Sequence, residues 1–338
     1  MLLVGSHPGL DNHDTGGWHP ERPGRVTAAL DGLAHFVEGQ AVDWLESRAA
    51  RREELLTVHD GAYLSSLMEL CAAGGGELDP DTPVSSGSWE TARLAAGAGL
   101  QAIDVLEAGG GEAAILLARP PGHHAGTSSG MGFCLLNNVA VAAAALSRRG
   151  ERVAIVDWDV HHGNGTQEIF WTDPSVLYVS VHQWPLYPGT GAAEERGGGA
   201  GYGTTVNLPM PPGCTGDAYL AVFDGVVIPA IERFGAEWVL VSAGFDAHRA
   251  DPLAGMALTA GDFADLTGRL LDATPRTSRL LLFLEGGYDL DALRLSVGAC
   301  AGRLLGEPFR PEPASSGGAG MAAAKRHQEF FSREVTSG

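Results

Sequence analysis

Apolar residues recur at helical spacing from Gly24 to Phe36 and from Asp60 to Ala73, and the run Gly74-Gly75-Gly76 stops the second segment. Residues 86 to 108 predict an Ala-rich helix with Ser at its start and glycines past its end. Beyond it the pattern changes to an alternation. Short apolar runs at 113–118, 152–157, 176–181, 204–208, 237–242 and 279–284 predict strands, and a further short strand is expected within the first residues. Helical patterns at 135–149, 216–234 and 261–274 lie between several of these runs, and another at 290–305 follows the last. That order predicts an α/β fold with a mainly parallel sheet covered on both faces. Asp79-Pro80-Asp81-Thr82-Pro83 is expected to be a loop, because its prolines remove donors and fix the backbone. Residues 306–318 should be extended, and Met321 to Phe331 could form a last helix.

Composition narrows the class. Apolar residues make up 44% of 338 residues, evenly spread and without a linker between two cores, so one domain over residues 1–338 is expected. No apolar run approaches the roughly 18 residues of a membrane span, and the N-terminus has no secretory pattern, which leads to an expected cytoplasmic location. Cys71, Cys134, Cys214 and Cys300 are scattered, as reduced buried thiols would be. A formal net charge of −19 argues against direct nucleic-acid binding and favours cationic ligands near the surface. A homo-oligomer is compatible with all of this.

The chemistry gathers after the run Arg152-Val153-Ala154-Ile155-Val156, where Asp157-Trp158-Asp159-Val160-His161-His162-Gly163-Asn164-Gly165 would sit at a strand's carboxyl end. In open α/β sheets that edge is where ligands bind. Asp159 and His161 are two apart, so an extended backbone points both to one side, and a carboxylate with an imidazole suits zinc. A third ligand must come from elsewhere. Asp246 is the natural one, since it follows a buried strand and the small Gly244 lets the backbone come close. Such an ion would leave an open position where water can be acidified and a carbonyl polarised. His123 and His124 could transfer protons, and Tyr288, after two glycines, could donate to a developing oxyanion. The reaction class implied is metal-assisted hydrolysis of an amide.

The runs RPPGHHAG, GFCLLNN, DWDVHHGNGTQ, SAGFDAH and EGGYD, in this order, resemble those of the zinc-dependent histone deacetylases and the related bacterial acetylpolyamine amidohydrolases. The resemblance covers nearly the whole chain, from the HPERPGR loop to the last helix. It implies the arginase-deacetylase fold, with an eight-stranded parallel sheet and helices on both faces. It implies that Asp159, His161 and Asp246 hold Zn2+, that His123 and His124 are the tandem pair, and that Tyr288 polarises the acetyl carbonyl. In the same pattern Asp157 pairs with His123, while His124 is partnered by Asn164, as in the class II branch. Gly132, Phe133 and Tyr187 would line a narrow tunnel for the substrate's alkyl chain, with Asp81 and Leu253 at its rim. A monovalent cation, K+, is implied at Asp157 and Ser180, completed by backbone carbonyls of Asp157, Asp159, His161 and Val181.

The expected substrate is an acetylated amine, with acetyl-lysine favoured over acetylpolyamines because Leu253 stands where polyamine-specific relatives carry Glu. Two other readings compete: a catalytically weak acetyl-lysine binding module, against which Tyr288 speaks, and an arginase-like two-manganese hydrolase, whose pattern lacks the double histidine. His7, His13, His19, His59, His182 and His248 are not expected to be metal ligands, and His162 is expected to pack structurally.

Overall fold

The computed structural model describes residues 1–337. Ten strands occur among the described residues: β1 (Leu2–Ser6), β2 (Val42–Glu46), β3 (Gly75–Glu77), β4 (Pro83–Ser85), β5 (Ala113–Leu116), β6 (Val153–Asp157), β7 (Val176–Gln183), β8 (Thr205–Met210), β9 (Trp238–Ala243) and β10 (Leu280–Leu284). Eight of them form one sheet in the order β2-β1-β5-β10-β9-β6-β7-β8, and every pairing in it is parallel. Strand alternation feeds two cores. Val153 and Ile155 of β6 pack on one face and Ala154 and Val156 on the other, each fully buried. Helices Gly61–Ala72, Ser88–Glu107 and Asn138–Ser147 cover the first face, while Ala260–Ala273 and Leu290–Leu305 cover the second. This is the eight-stranded parallel sheet with helices on both faces that the resemblance implies.

The differences from the expected elements have local causes. β2 was not anticipated, because an edge strand pairs on one side only and Val42-Asp43-Trp44-Leu45-Glu46 buries just Leu45. The single helix expected over Gly24 to Phe36 is two, Gly24–Asp31 and Ala34–Glu38. At the break, Gly32 lies so close to the Arg294 carbonyl that a Cβ would collide with it. Pro80 does sit in a turn, but that turn joins a small antiparallel hairpin of β3 and β4, so Pro83 is not in a loop and instead opens the second strand. The run 216–234 is helical with a wider π turn at Phe223–Val227. The last helix is longer than expected, Met321–Ser337. All four cysteines are buried and unbridged, and no helix among the described residues is long and apolar enough to cross a membrane.

Candidate active site

Sheet order brings the motif loops together. β5, β10, β9 and β6 are consecutive neighbours, so the segments leaving their carboxyl ends lie side by side: 119–126, 285–289, 243–251 and 157–163. Residues as far apart in sequence as Gly122 and Glu285, separated by 163 positions, meet there for a topological reason.

Asp159, His161 and Asp246 converge into one corner, their donor atoms all within 4.8 Å of one another. Backbone N–H groups fix the far oxygens: Gly286 donates to Asp159 Oδ2 at 2.7 Å and Val160 donates to Asp246 Oδ1 at 2.8 Å. The remaining oxygens, Asp159 Oδ1 and Asp246 Oδ2, each lie 3.1 Å from His161 Nδ1. Such closeness needs glycine on both sides, since a Cβ on Gly244 or Gly286 would overlap these carboxylates. Burial opposes charging His161, but its hydrogen bonds to Asp159 and Asp246 win and raise its pKa to about 10. Burial and the Asp159 charge push Asp246 up to about 7. Two carboxylates therefore compete for one imidazole proton in a desolvated corner. A divalent cation satisfies all three donors at once, so the residues fit a metal ion of the zinc type.

The two adjacent histidines differ in charge. His123 Nδ1 donates to Asp157 Oδ2 at 3.0 Å, and that oxygen also accepts from the Tyr178 hydroxyl at 3.0 Å. Burial disfavours an imidazolium at His123, yet the nearby Asp157 and Asp159 charges prevail and hold its pKa well above 6.5. His124 Nδ1 instead donates to the neutral Asn164 Oδ1 at 2.8 Å. Burial first, then the positive His123 and His161, hold its pKa well below 6.5. With Nδ1 carrying the proton, the lone pair of neutral His124 is on Nε2.

The histone deacetylase domain family matches residues 19–304. The chain belongs to the histone deacetylase family. It is 46% identical over 276 residues to a histone deacetylase-like amidohydrolase of Pseudomonas aeruginosa, covering 80% of this chain and 71% of that one. It is 41% identical over 284 residues to a probable deacetylase of Archaeoglobus fulgidus, covering 82% of this chain and 79% of that one. The crystal structure of the HDA15 HD domain superposes with a TM-score of 0.91 at 36% identity, covering 99% of this chain and 97% of that one. The chain is accordingly an enzyme acting on acetylated amides.

Other parts of this deacetylase site were not singled out from sequence. Glu285 is fully buried; its Oε2 accepts the N–H of Gly122 at 2.6 Å and of His123 at 3.1 Å, and its Oε1 accepts from the Ser242 hydroxyl at 3.2 Å. It thus fixes the backbone that carries the histidines, and burial raises its pKa to about 7. Glu21 of the HPERPGR loop holds Arg119 through both carboxylate oxygens, at 2.9 and 2.7 Å, and faces Arg25 at 3.4 Å. Arg25 in turn donates to Gly287 O at 2.7 Å and to Glu285 O, and its guanidinium lies 4.9 Å from the Tyr288 ring centroid. An acid immediately before a Gly-Gly-Tyr run, and a Glu-Arg pair four apart, were the available signals.

Around the corner stand the expected wall residues. Phe133 meets the Tyr288 ring edge-on at 5.7 Å, and Tyr187 meets those of His124 at 5.2 Å and His161 at 6.3 Å. Gly132 has a φ of +55°, and a Cβ there would press on both His124 and Tyr187. Asp81 is exposed beside Asp79, and its carbonyl faces His19 Nε2 at 3.2 Å. Leu253 is half-buried, its N–H bonded to Asp251. Asp157 and Ser180 are directly opposite on β6 and β7, with the Ser180 hydroxyl 2.9 Å from His182 Nδ1. His162 bonds Thr190 and Gln167, and His248 bonds Glu312.

Proposed function

We propose that this enzyme hydrolyses the N-acetyl amide of acetyl-lysine with Zn2+ held by Asp159, His161 and Asp246. The observation that carries the reading is the convergence of those three donors beside a neutral His124. A bound zinc ion supplies Lewis acidity, which activates water and polarises an amide carbonyl. His124 Nε2 is the base that takes the proton of the attacking water and returns it to the departing amine, with Asn164 holding the ring. His123, paired with Asp157, stays an imidazolium and stabilises negative charge as it develops. Tyr288 donates its hydroxyl to the oxygen of the amide carbonyl, where that charge develops. Its burial pushes the phenol pKa well above 10, so that proton is present throughout the neutral range. Gly132, Phe133 and Tyr187 enclose the alkyl chain, Asp81 accepts from the backbone of a peptide substrate, and K+ at Asp157 and Ser180 steadies the base of the site.

An acetylated polyamine is the second reading, favoured by one observation. Asp79 and Asp81 lie together at the rim, where burial and the Asp79 charge raise the pKa of Asp81, and an ammonium would relieve their repulsion. The test is turnover of an acetyl-lysine peptide and of acetylspermidine by chelator-treated enzyme with zinc or iron(II) added back. Undiminished turnover after complete metal removal would end the metal reading, and a large preference for acetylspermidine would replace the first substrate with the second.

A further inference from the structure

Asp251 is a buried carboxylate with no part in the chemistry above, yet both its oxygens are used. Oδ2 accepts the backbone N–H of Tyr288 at 2.7 Å and that of Asp289 at 3.4 Å, and Oδ1 accepts the N–H of Leu253 at 3.0 Å. Arg25 grips the same peptide group from its other end, donating to Gly287 O at 2.7 Å. The amide joining Gly287 to Tyr288 is thus held between a carboxylate on its N–H and a guanidinium on its carbonyl. Each charge is placed to match the amide dipole, so each hydrogen bond polarises the group toward the other.

This amide needs holding because Gly286-Gly287 precedes it and Gly287 has a φ of +116°, a conformation that leaves the unclamped chain many alternatives. We propose that Asp251 is a positioning residue that fixes the Tyr288 backbone, and through it the phenol, for amide hydrolysis. The inference rests on the reading of Tyr288 as the oxyanion donor. Asp251 acts only through that tyrosine. The shared carboxylate also ties the rim at Leu253 to the placement of Tyr288.

The test measures kcat and KM on an acetyl-lysine peptide, zinc content and thermal stability for the zinc-loaded full chain and for Asp251→Ala, Asp251→Asn, Tyr288→Phe and the Asp251→Ala/Tyr288→Phe double variant. Asp251→Ala is expected to lower kcat by about 10²-fold, the effect of misplacing a reacting group by about 1 Å, with KM within about twofold and zinc content unchanged. Asp251→Asn, which keeps one acceptor oxygen and the volume, should lose only about tenfold, the equivalent of one hydrogen bond. It carries the test if the alanine variant does not fold. The double variant should be no slower than Tyr288→Phe, because a residue acting through Tyr288 has nothing left to position. Wild-type kcat in the Asp251 variants, or losses that multiply in the double variant, overturns the proposal while Tyr288→Phe remains slow. A Tyr288→Phe enzyme with wild-type kcat overturns the tyrosine reading itself, and the positioning role with it.

Discussion

At the floor of the site, Asp157, Asp159, Asp246 and Glu285 have no exposed surface, and each of their carboxylate oxygens has a partner. At the proposed rim, Asp81 is exposed, Leu253 is half-buried and Tyr187 is 39% exposed. The contrast sets how much one side chain can do. Charges stripped of water and fixed by the backbone interact strongly and cannot relax when a partner is lost. Rim charges are screened by solvent and have room to move. Changes at the floor should therefore abolish or cripple the reaction, while rim changes should only redistribute it among substrates.

The largest expected effect is at the three-donor corner. Asp159→Ala, His161→Ala or Asp246→Ala should remove bound zinc and turnover together, because three protein donors leave no spare; metal analysis beside an activity assay checks both. A variant with full zinc and wild-type turnover would move the metal elsewhere. Next come the groups around that corner. Tyr288→Phe should keep zinc and substrate binding while kcat falls by about 10² to 10³, the usual effect of losing one oxyanion donor. His124→Ala should lose at least as much and alter the pH profile, because its Nε2 is the proposed proton acceptor; an unchanged profile would place proton transfer on another group.

The floor also has an acid limit set by a residue that touches none of the proposed donors. His59 Nδ1 donates to Gly126 O at 2.9 Å, while its Nε2 accepts the N–H of Asn137 at 2.9 Å, so the imidazole must be neutral to join these two segments. Burial lowers its pKa to about 4 against 6.5 in the unfolded chain. The unfolded state thus binds more protons between those values. The stability that His59 provides is complete above pH 6.5 and lost as pH falls toward 4, reaching about 3 kcal/mol for the 2.5-unit difference. Buried His13, also near 4, adds to the same slope. Urea unfolding at pH 7 and pH 5 should show a shallower loss for His59→Gln than for the wild type. Equal slopes would mean that His59 does not titrate in this way.

The same contrast governs what the sequence discloses. Floor residues follow strongly apolar strands at short spacing, so Asp159, His161, Asp246, the two histidines and Tyr288 stood out, and the parallel sheet that gathers them was legible from the alternation. Glu285 and Asp251 did not stand out, because both accept backbone N–H groups, and although Glu285 adjoins the Gly-Gly-Tyr run, neither carboxylate's neighbours disclose which N–H groups the fold brings to it. β2 was missed for the complementary reason: a strand at the sheet edge exposes most of its side chains and leaves no apolar run. Rim residues are hardest of all, since Asp81 and Leu253 come from a turn and a loop whose sequences constrain neither their direction nor their neighbours.

The smallest expected effect is at that rim, where the measurement must be a ratio. Leu253 presents no charge to an amine beyond the acetylated one, and its backbone is anchored to Asp251, so a substituted side chain keeps the same origin. Leu253→Glu adds an anion near the site entrance that a distal ammonium can reach and an acetyl-lysine peptide lacks a fixed cation to meet. The contact is solvent-exposed, so it should change kcat/KM for acetylspermidine relative to the peptide by about 1 kcal/mol, or roughly fivefold, and the change should shrink as salt is raised. Asp81→Ala should move the balance away from the peptide by a different route, lowering kcat/KM for the peptide more than for a small acetylated amide, because only the peptide offers backbone N–H groups to that carboxylate. The two variants separate charge from hydrogen bonding: the first effect depends on ionic strength and the second barely does. If Leu253→Glu leaves the ratio where it was at low salt, the position does not face the substrate and the rim must be sought along the Asp79-Asp81 turn instead.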